Sequence, residues 1–338
     1  EPLGLEVQNG DLYTVQRTEL TRLRDIDGDG QADEYLTHAK GWGVTGNYHE
    51  YAYGPAIDQE GNMWVALNCS IGKGSNPNNQ WRGWSLRVKP DGSWSPMSGG
   101  FRSPSGIGTN LVGDVFATDQ QGNWYATCAL MHLKKGVFHG HADALQFTKL
   151  PGSTFEVKHP LPKNLTVAEA AKRIPAYHLP AVWFPYRKVG MSTTDILVDR
   201  TQGMFGPFHG QLFCGEFTMS FVSRVFLEKI EGEYQGACFR FRDGLDCAAL
   251  RLEWGLNGSM YIGQSNRGWN SLGTKSYSLQ RLQWKGKVPF EIKTMSARPD
   301  GFTLTFTRPV NLKTATDIKS YMLSSYTYPY HSKYGGKE

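Results

Sequence analysis

With 338 residues and 37.8 kDa, the chain has material for one large domain or two ordinary ones. Hydrophobic residues at 39% against charged residues at 20% exclude an intrinsically disordered chain, and no apolar run approaches the ~20 residues of a membrane span. Lys and Arg exceed Asp and Glu by only five, spread without a basic block, which argues against a nucleic-acid partner.

Aromatics at 13% and 39 glycines, with few helix-forming stretches, favour an all-β protein with many tight turns. One pattern organises the chain: a Gly-containing turn, then alternating apolar residues that read as a strand. It occurs at Asn9–Val15, Gly61–Ala66, Gly113–Ala117, Gly210–Cys214 and Asn257–Ile262. Three of the steps are about 50 residues and the one from Gly113 to Gly210 is nearly double, so a divergent unit is expected near Pro151–His159. Several units continue into a second strand built around arginine, at Arg22, Arg87, Arg224 and Arg281. A period of about 50 with paired short strands predicts a six-bladed β-propeller over residues 1–288, the alternative being a two-sheet sandwich.

Between the first strands lies Asp25-Ile26-Asp27-Gly28-Asp29-Gly30-Gln31-Ala32-Asp33. Calcium takes six to eight hard oxygens, and carboxylates at alternate positions around a glycine turn supply them, so Asp25, Asp27, Asp29 and Asp33 are candidate ligands. The twelfth position is Leu36 rather than the Glu of an EF-hand, and the flanks read as strands. Further on, Thr166–Lys172 reads as a short helix with Thr166 and Glu169 as a capping box. From Pro289 the alternation Gly301–Thr307 and a Tyr-rich tail predict a short, incomplete Ig-like β appendage over 289–338.

The five cysteines form no C-x-x-C pair, which removes zinc ribbons and thioredoxin chemistry; Cys238 and Cys247 could bridge. His132, His139 and His141 could bind a transition metal, but no carboxylate–cysteine set stands near them in sequence, so loop histidines are the default. Asp114, Asp119 and Asp143 could supply an acid/base pair, although aspartates beside turn glycines are commonplace. Trp81, Trp84, Trp94, Trp124 and Trp269 could stack on sugar rings or pack between blades. No G-x-S-x-G elbow, Walker loop or H-E-x-x-H occurs.

Several segments in order resemble the glucose/sorbosone dehydrogenase family, propellers that oxidise sugars with pyrroloquinoline quinone (PQQ). They are His49–Pro55 leading into Gly61–Val65, Gly100–Ile107, Lys135–His141, Leu179–Phe213 and Leu252–Tyr261, together spanning about Tyr48 to Trp284. Asn47–Glu50, Phe205–Phe208, Arg224–Lys229 and Asn266–Trp269 are most similar to a subgroup of large dehydrogenase-like proteins of planctomycete-type bacteria, often fused to a haem-binding domain. Members of it carry a further strand region before this chain's start, which implies that part of the first blade is missing. The chain opens at Glu1 without a methionine or signal peptide, as an excised or processed piece would.

The resemblance implies a periplasmic or secreted oxidoreductase for a sugar or polyol, passing electrons to a cytochrome c or haem-domain acceptor. His49 matches the family's general base, a task that suits imidazole near neutrality. Arg102 matches an arginine on the quinone's carboxylates. Two further cofactor arginines fall at Ala248 and Leu250, with Arg251 one residue off and so expected on the other strand face. The family's calcium-holding element is replaced by Asp119–Asn123. A non-catalytic propeller that binds glycan or a protein, its cofactor site lost, is the alternative reading.

Overall fold

The computed structural model describes residues 2–72, 76, 78–158 and 160–337. Five sheets stand around one axis. Blade one is β1 (Leu5–Gln8), β2 (Asp11–Val15), β3 (Glu19–Arg24) and β4 (Glu34–Lys40). Blade two is β5 (Ala52–Ile57), β6 (Met63–Leu67), β7 (Trp84–Val88) and β8 (Trp94–Gly99). Blade three comprises β9 (Gly106–Thr109), β10 (Val115–Asp119), β11 (Cys128–His132) and, beyond an insertion carrying β12 (Leu165–Thr166) and α1 (Val167–Arg173), β13 (Val182–Phe184). Blade four is β14 (Thr193–Val198), β15 (Leu212–Glu216), β16 (Phe221–Ile230) and β17 (Glu233–Arg242). Blade five has three strands, β18 (Ala249–Trp254), β19 (Met260–Ser265) and β20 (Tyr277–Leu282).

Each turn-plus-strand repeat is the second strand of a blade, entered through a glycine whose φ lies between +70° and +86°, a left-handed conformation that glycine adopts without strain. Five repeats make five blades, not six. The double step between Gly113 and Gly210 comes from the insertion between β11 and β13. Pro151–Lys158 contains no strand, and His159 lies outside the described residues. Blade one has four strands, so the expected loss of part of it is not seen; the short blade is the fifth.

The second strands β6 and β15 are buried along their whole length, because a neighbouring blade covers each face, and β6 reads as a continuous apolar run. The outer strand β20 alternates exposed and half-buried residues. A separate apolar cluster fills each seam from blade one to blade five, around Trp84, Phe101, Phe184 and Phe213 in turn. Between blades five and one, closure is polar: Arg251 donates to Leu3 O at 2.6 Å and to Ser105 O at 3.2 Å, ahead of β1 and β9 respectively. Arg251 therefore faces inward, contrary to its expected placement. An irregularity in the β18–β19 register between Ala249 and Arg251 accounts for this, since an extra residue re-aims the side chains beyond it.

Residues beyond 288 do not form an Ig-like unit among those described. β21 (Ile292–Arg298) and β22 (Gly301–Phe306) make a hairpin, held to blade four through Arg224 and Gln211, which donate to main-chain oxygens of Ile292 and Lys293. After the one-turn helix α2 (Leu312–Ala315), β23 (Pro329–Tyr330) pairs with β12. Helix α1 starts as expected, with the Thr166 hydroxyl accepting from Glu169 N and the Glu169 carboxylate accepting from Thr166 N. All five cysteines are free.

Candidate functional site

The loops that lead from one blade into the next, together with the hairpins joining second and third strands, converge on one end of the axis. They bring together residues far apart in sequence. His49 lies between β4 and β5, Cys69 and Arg82 in the β6–β7 loop, Arg102 between β8 and β9, and Gln120–Thr127 between β10 and β11. The insertion runs up beside β8, with Gly136 N on Met97 O and His139 N on Gly99 O. It thereby delivers His139 and His141 to the same end.

Two polar clusters result. In the first, the buried Glu50 carboxylate accepts from Thr45 N (2.6 Å), Thr45 Oγ1 (2.7 Å) and Ser70 Oγ (2.6 Å). Burial raises its pKa, but these hydrogen bonds outweigh it and hold the carboxyl below its ordinary value. Arg82, also buried, donates to Gly43 O, Tyr51 O and Arg17 O at 2.6–2.7 Å. Burial lowers it to about 10, still a cation at neutral pH.

The second cluster surrounds Arg102. Its main-chain N–H and that of Ser103 donate to the buried Asp119 carboxylate at 2.8 and 2.7 Å. Burial pushes Asp119 up to about 6 despite these bonds. The Arg102 side chain lies against Gly122, where a Cβ would sit 1.9 Å from Nε, and under the Tyr334 ring, 5.3 Å from its centroid. Its Nε is buried without a hydrogen-bond partner. Nearby, ligand atoms of Cys69, His141 and Asp143 lie within 4.8 Å of one another. Burial, aided by the Arg102 charge, takes His141 down to about 3, so its ring is neutral; burial, then Asp143, raises the Cys69 thiol well above its ordinary value.

His49 sits beside these clusters, its ring 5.4 Å from that of the exposed Tyr48. Burial, then the charges of Arg102 and Arg17, lower its pKa, so it is a neutral imidazole at pH 7. No described residue bonds its ring nitrogens. Gly268 of blade five approaches Tyr48, for a Cβ there would lie 3.3 Å from the Tyr48 hydroxyl, and the adjacent Trp269 is exposed. Of the other tryptophans singled out from sequence, Trp81 and Trp84 are buried in the seam between blades one and two, and Trp94 packs against it.

The remaining candidates separate. Asp114 is at the start of β10, bonded to Tyr234 and Lys229 and 3.9 Å from His132 Nε2. Burial lowers His132 to about 4, so this contact is neutral imidazole against carboxylate rather than an ion pair. In the acidic loop of blade one, Asp25, Asp27 and Asp29 converge within 4.8 Å, whereas Asp33 accepts from Ile26 N and closes the loop. Sequence reasoning did not single out Cys69. It follows β6 and stands 72 positions from His141, so no local spacing signals the pair.

The arginines decide whether a tri-carboxylate quinone fits. Arg17 donates to Asn47 O and Tyr48 O, Arg82 to three carbonyls, and Arg251 to Leu3 O, Leu250 O and Ser105 O. Among the described residues at this mouth, the Nε atoms of Arg102 and Arg17 are buried without a partner, but Arg17 is already tied to two carbonyls, which leaves Arg102 as the fork least committed to the main chain. One such fork does not match three carboxylates, and the residues present do not fit PQQ.

Comparison with solved structures gives a candidate oxidoreductase (glucose dehydrogenase) from Thermus thermophilus. It is 16% identical with a TM-score of 0.57, over 83% of both chains. A glucose dehydrogenase is 16% identical with a TM-score of 0.54, over 84% of this chain and 77% of that one. The PQQ domain of pyranose dehydrogenase from Coprinopsis cinerea is 10% identical with a TM-score of 0.54, over 83% and 81%. At these identities the likeness is one of fold, a β-propeller of the sugar-dehydrogenase kind. No curated protein matches the chain. The family model for a domain of unknown function, DUF7133, matches residues 2–241, and the chain belongs to that family.

Proposed function

We propose that this propeller binds a sugar or polyol at the mouth around His49, as a protein of the sugar-oxidoreductase type. The observation that carries the reading is a neutral imidazole whose ring nitrogens no described residue bonds, beside the exposed ring of Tyr48, with the exposed Trp269 following the Gly268 that approaches Tyr48, on a propeller of sugar-dehydrogenase fold. An apolar sugar face stacks on such rings. A neutral ring nitrogen accepts the hydroxyl proton of the bound carbohydrate, which is general-base work. Arg102 supplies positive charge on the same side, lowering the energy of the alkoxide that forms. Because PQQ does not match the cations present, no hydride step is routed through it. A cytochrome or haem acceptor and an extracytoplasmic setting rest on the family resemblance alone.

The acidic loop supports a second, structural proposal: one calcium ion on Asp25, Asp27 and Asp29, with Asp33 shaping the loop. Calcium should then raise the melting temperature of the native chain and leave that of Asp27→Asn unchanged.

Calorimetric titration with a panel of monosaccharides and polyols, alongside His49→Ala and Trp269→Ala, tests the main reading. Saturable binding weakened by both substitutions supports it. Dye reduction that depends on His49 and on added PQQ would restore the quinone. Binding without turnover in any redox assay leaves a glycan-binding propeller, and no binding by any sugar overturns the proposal.

A further inference from the structure

Of the polar clusters in the molecule, Cys69, His141 and Asp143 combine a thiol, an imidazole and a carboxylate on one point, and neither the family nor the sugar reading uses them. Their ligand atoms lie within 4.8 Å of one another. A second observation is independent of that distance: His141 is 2% exposed, its Nδ1 is buried without a partner, and no described residue hydrogen-bonds its ring. An orphaned buried nitrogen costs free energy unless a ligand satisfies it. We propose that Cys69, His141 and Asp143 form a mononuclear site for a divalent transition metal, zinc by its donor set, with an open fourth position.

Mixed sulfur, nitrogen and oxygen donors suit zinc, and three protein ligands with one vacancy is the arrangement of reactive rather than purely structural zinc. Bond lengths of about 2.0–2.3 Å put tetrahedral ligands roughly 3.3–3.8 Å apart, so the three atoms close on an ion by small side-chain adjustments. The backbone around them is already fixed. Cys69 N donates to Arg102 O and His141 N to Gly100 O, both at 3.0 Å. Asp143 opens the 3-10 turn Ala142–Phe147, which the Trp84 indole N–H anchors through Ala144 O at 2.9 Å. Binding replaces the Cys69 S–H bond with an S–metal bond, and the proton leaves to solvent, so affinity rises with pH. Asp143 is the exposed member and lines, with Ser70, a groove of about 1230 Å³ between the 3-10 turn and Glu156, Lys158 and Pro160. The vacancy therefore faces an accessible groove, where a metal-bound water or a ligand oxygen would sit.

Metal analysis of the full chain and zinc titration against a competing chelator test this apart from any sugar activity. The native protein should retain one zinc per chain. Asp143→Asn, at the surface and safe for folding, and Cys69→Ser should each weaken binding about 100-fold or more. Cobalt in place of zinc should give a thiolate-to-metal charge-transfer band that Cys69→Ser abolishes. Failure of the native chain to hold zinc against the chelator overturns the site. So does binding that survives both substitutions, or that is lost in Asp27→Asn and kept in Asp143→Asn.

Discussion

The two polar clusters at the mouth are neighbours, equally hidden from water, and differently finished. Around Glu50 and Arg82 the carboxylate has three donors and the guanidinium has three carbonyl acceptors. Around Arg102 and His141, nitrogen atoms of both side chains are left without partners. A saturated buried network specifies one arrangement of the chain and gains nothing from a visitor. An unsaturated one is held in place by its surroundings and gains by binding. Scaffold and site thus differ here chiefly in the completeness of their bonding.

That contrast breaks most visibly at Arg82. Arg82→Met strands three carbonyls and should cost about 3–5 kcal/mol in denaturant unfolding. Glu50→Gln removes the charge that the Ser70 and Thr45 donors meet, at about 1–3 kcal/mol by the same measurement. Glu50 is held below its unfolded pKa, so its stabilisation is present above about pH 4.5 and fades as pH falls through the folded value. The Gln variant should lack that component.

His132, a half-buried ring outside the mouth, calibrates the comparison. Its folded pKa of about 4 lies below the ordinary 6.5, so the unfolded chain takes up protons first as pH falls. Asp114, Glu233, Lys134, Lys229 and Tyr234 face it, and stability should drop by about 1 kcal/mol per pH unit between those values. His132→Phe should flatten the slope in a pH series of melts. On the unsaturated side, Arg102→Met should change stability by less than about 1 kcal/mol while weakening ligand binding at the mouth. A loss like that of Arg82→Met would assign Arg102 to the scaffold.

The β class, the glycine-turn repeat and the arginine-bearing third strands were legible because each is local: a turn and the alternation that follows it. The blade count was not, since a 49-residue excursion between β11 and β13 mimics a period when only spacing is read. Helix α1 was legible down to its capping box, whose residues are three apart. His49 and Arg102 stood out through resemblance, and the structure brings both to one mouth. The commitment of Arg17, Arg82 and Arg251 to main-chain carbonyls has no sequence signature, because all but one of those acceptors lie 30 or more positions away in sequence. His141 was a metal candidate from sequence, but its pairing with Cys69 escaped for the same reason: their meeting depends on an inserted segment climbing beside β8.

The Tyr334 ring over Arg102 sets an order on the making of the molecule. Ser332 O accepts from Asn123 Nδ2 across 209 residues of sequence, and Gly335 N donates to Gly122 O. A ribosome releases blades two and three well before it makes that cover, so Arg102 stays uncovered while the residues between are made. Arg102 and its neighbours are then open to ions or small molecules before Tyr334 covers the guanidinium. A ligand acquired in that interval would be enclosed when Tyr334 docks.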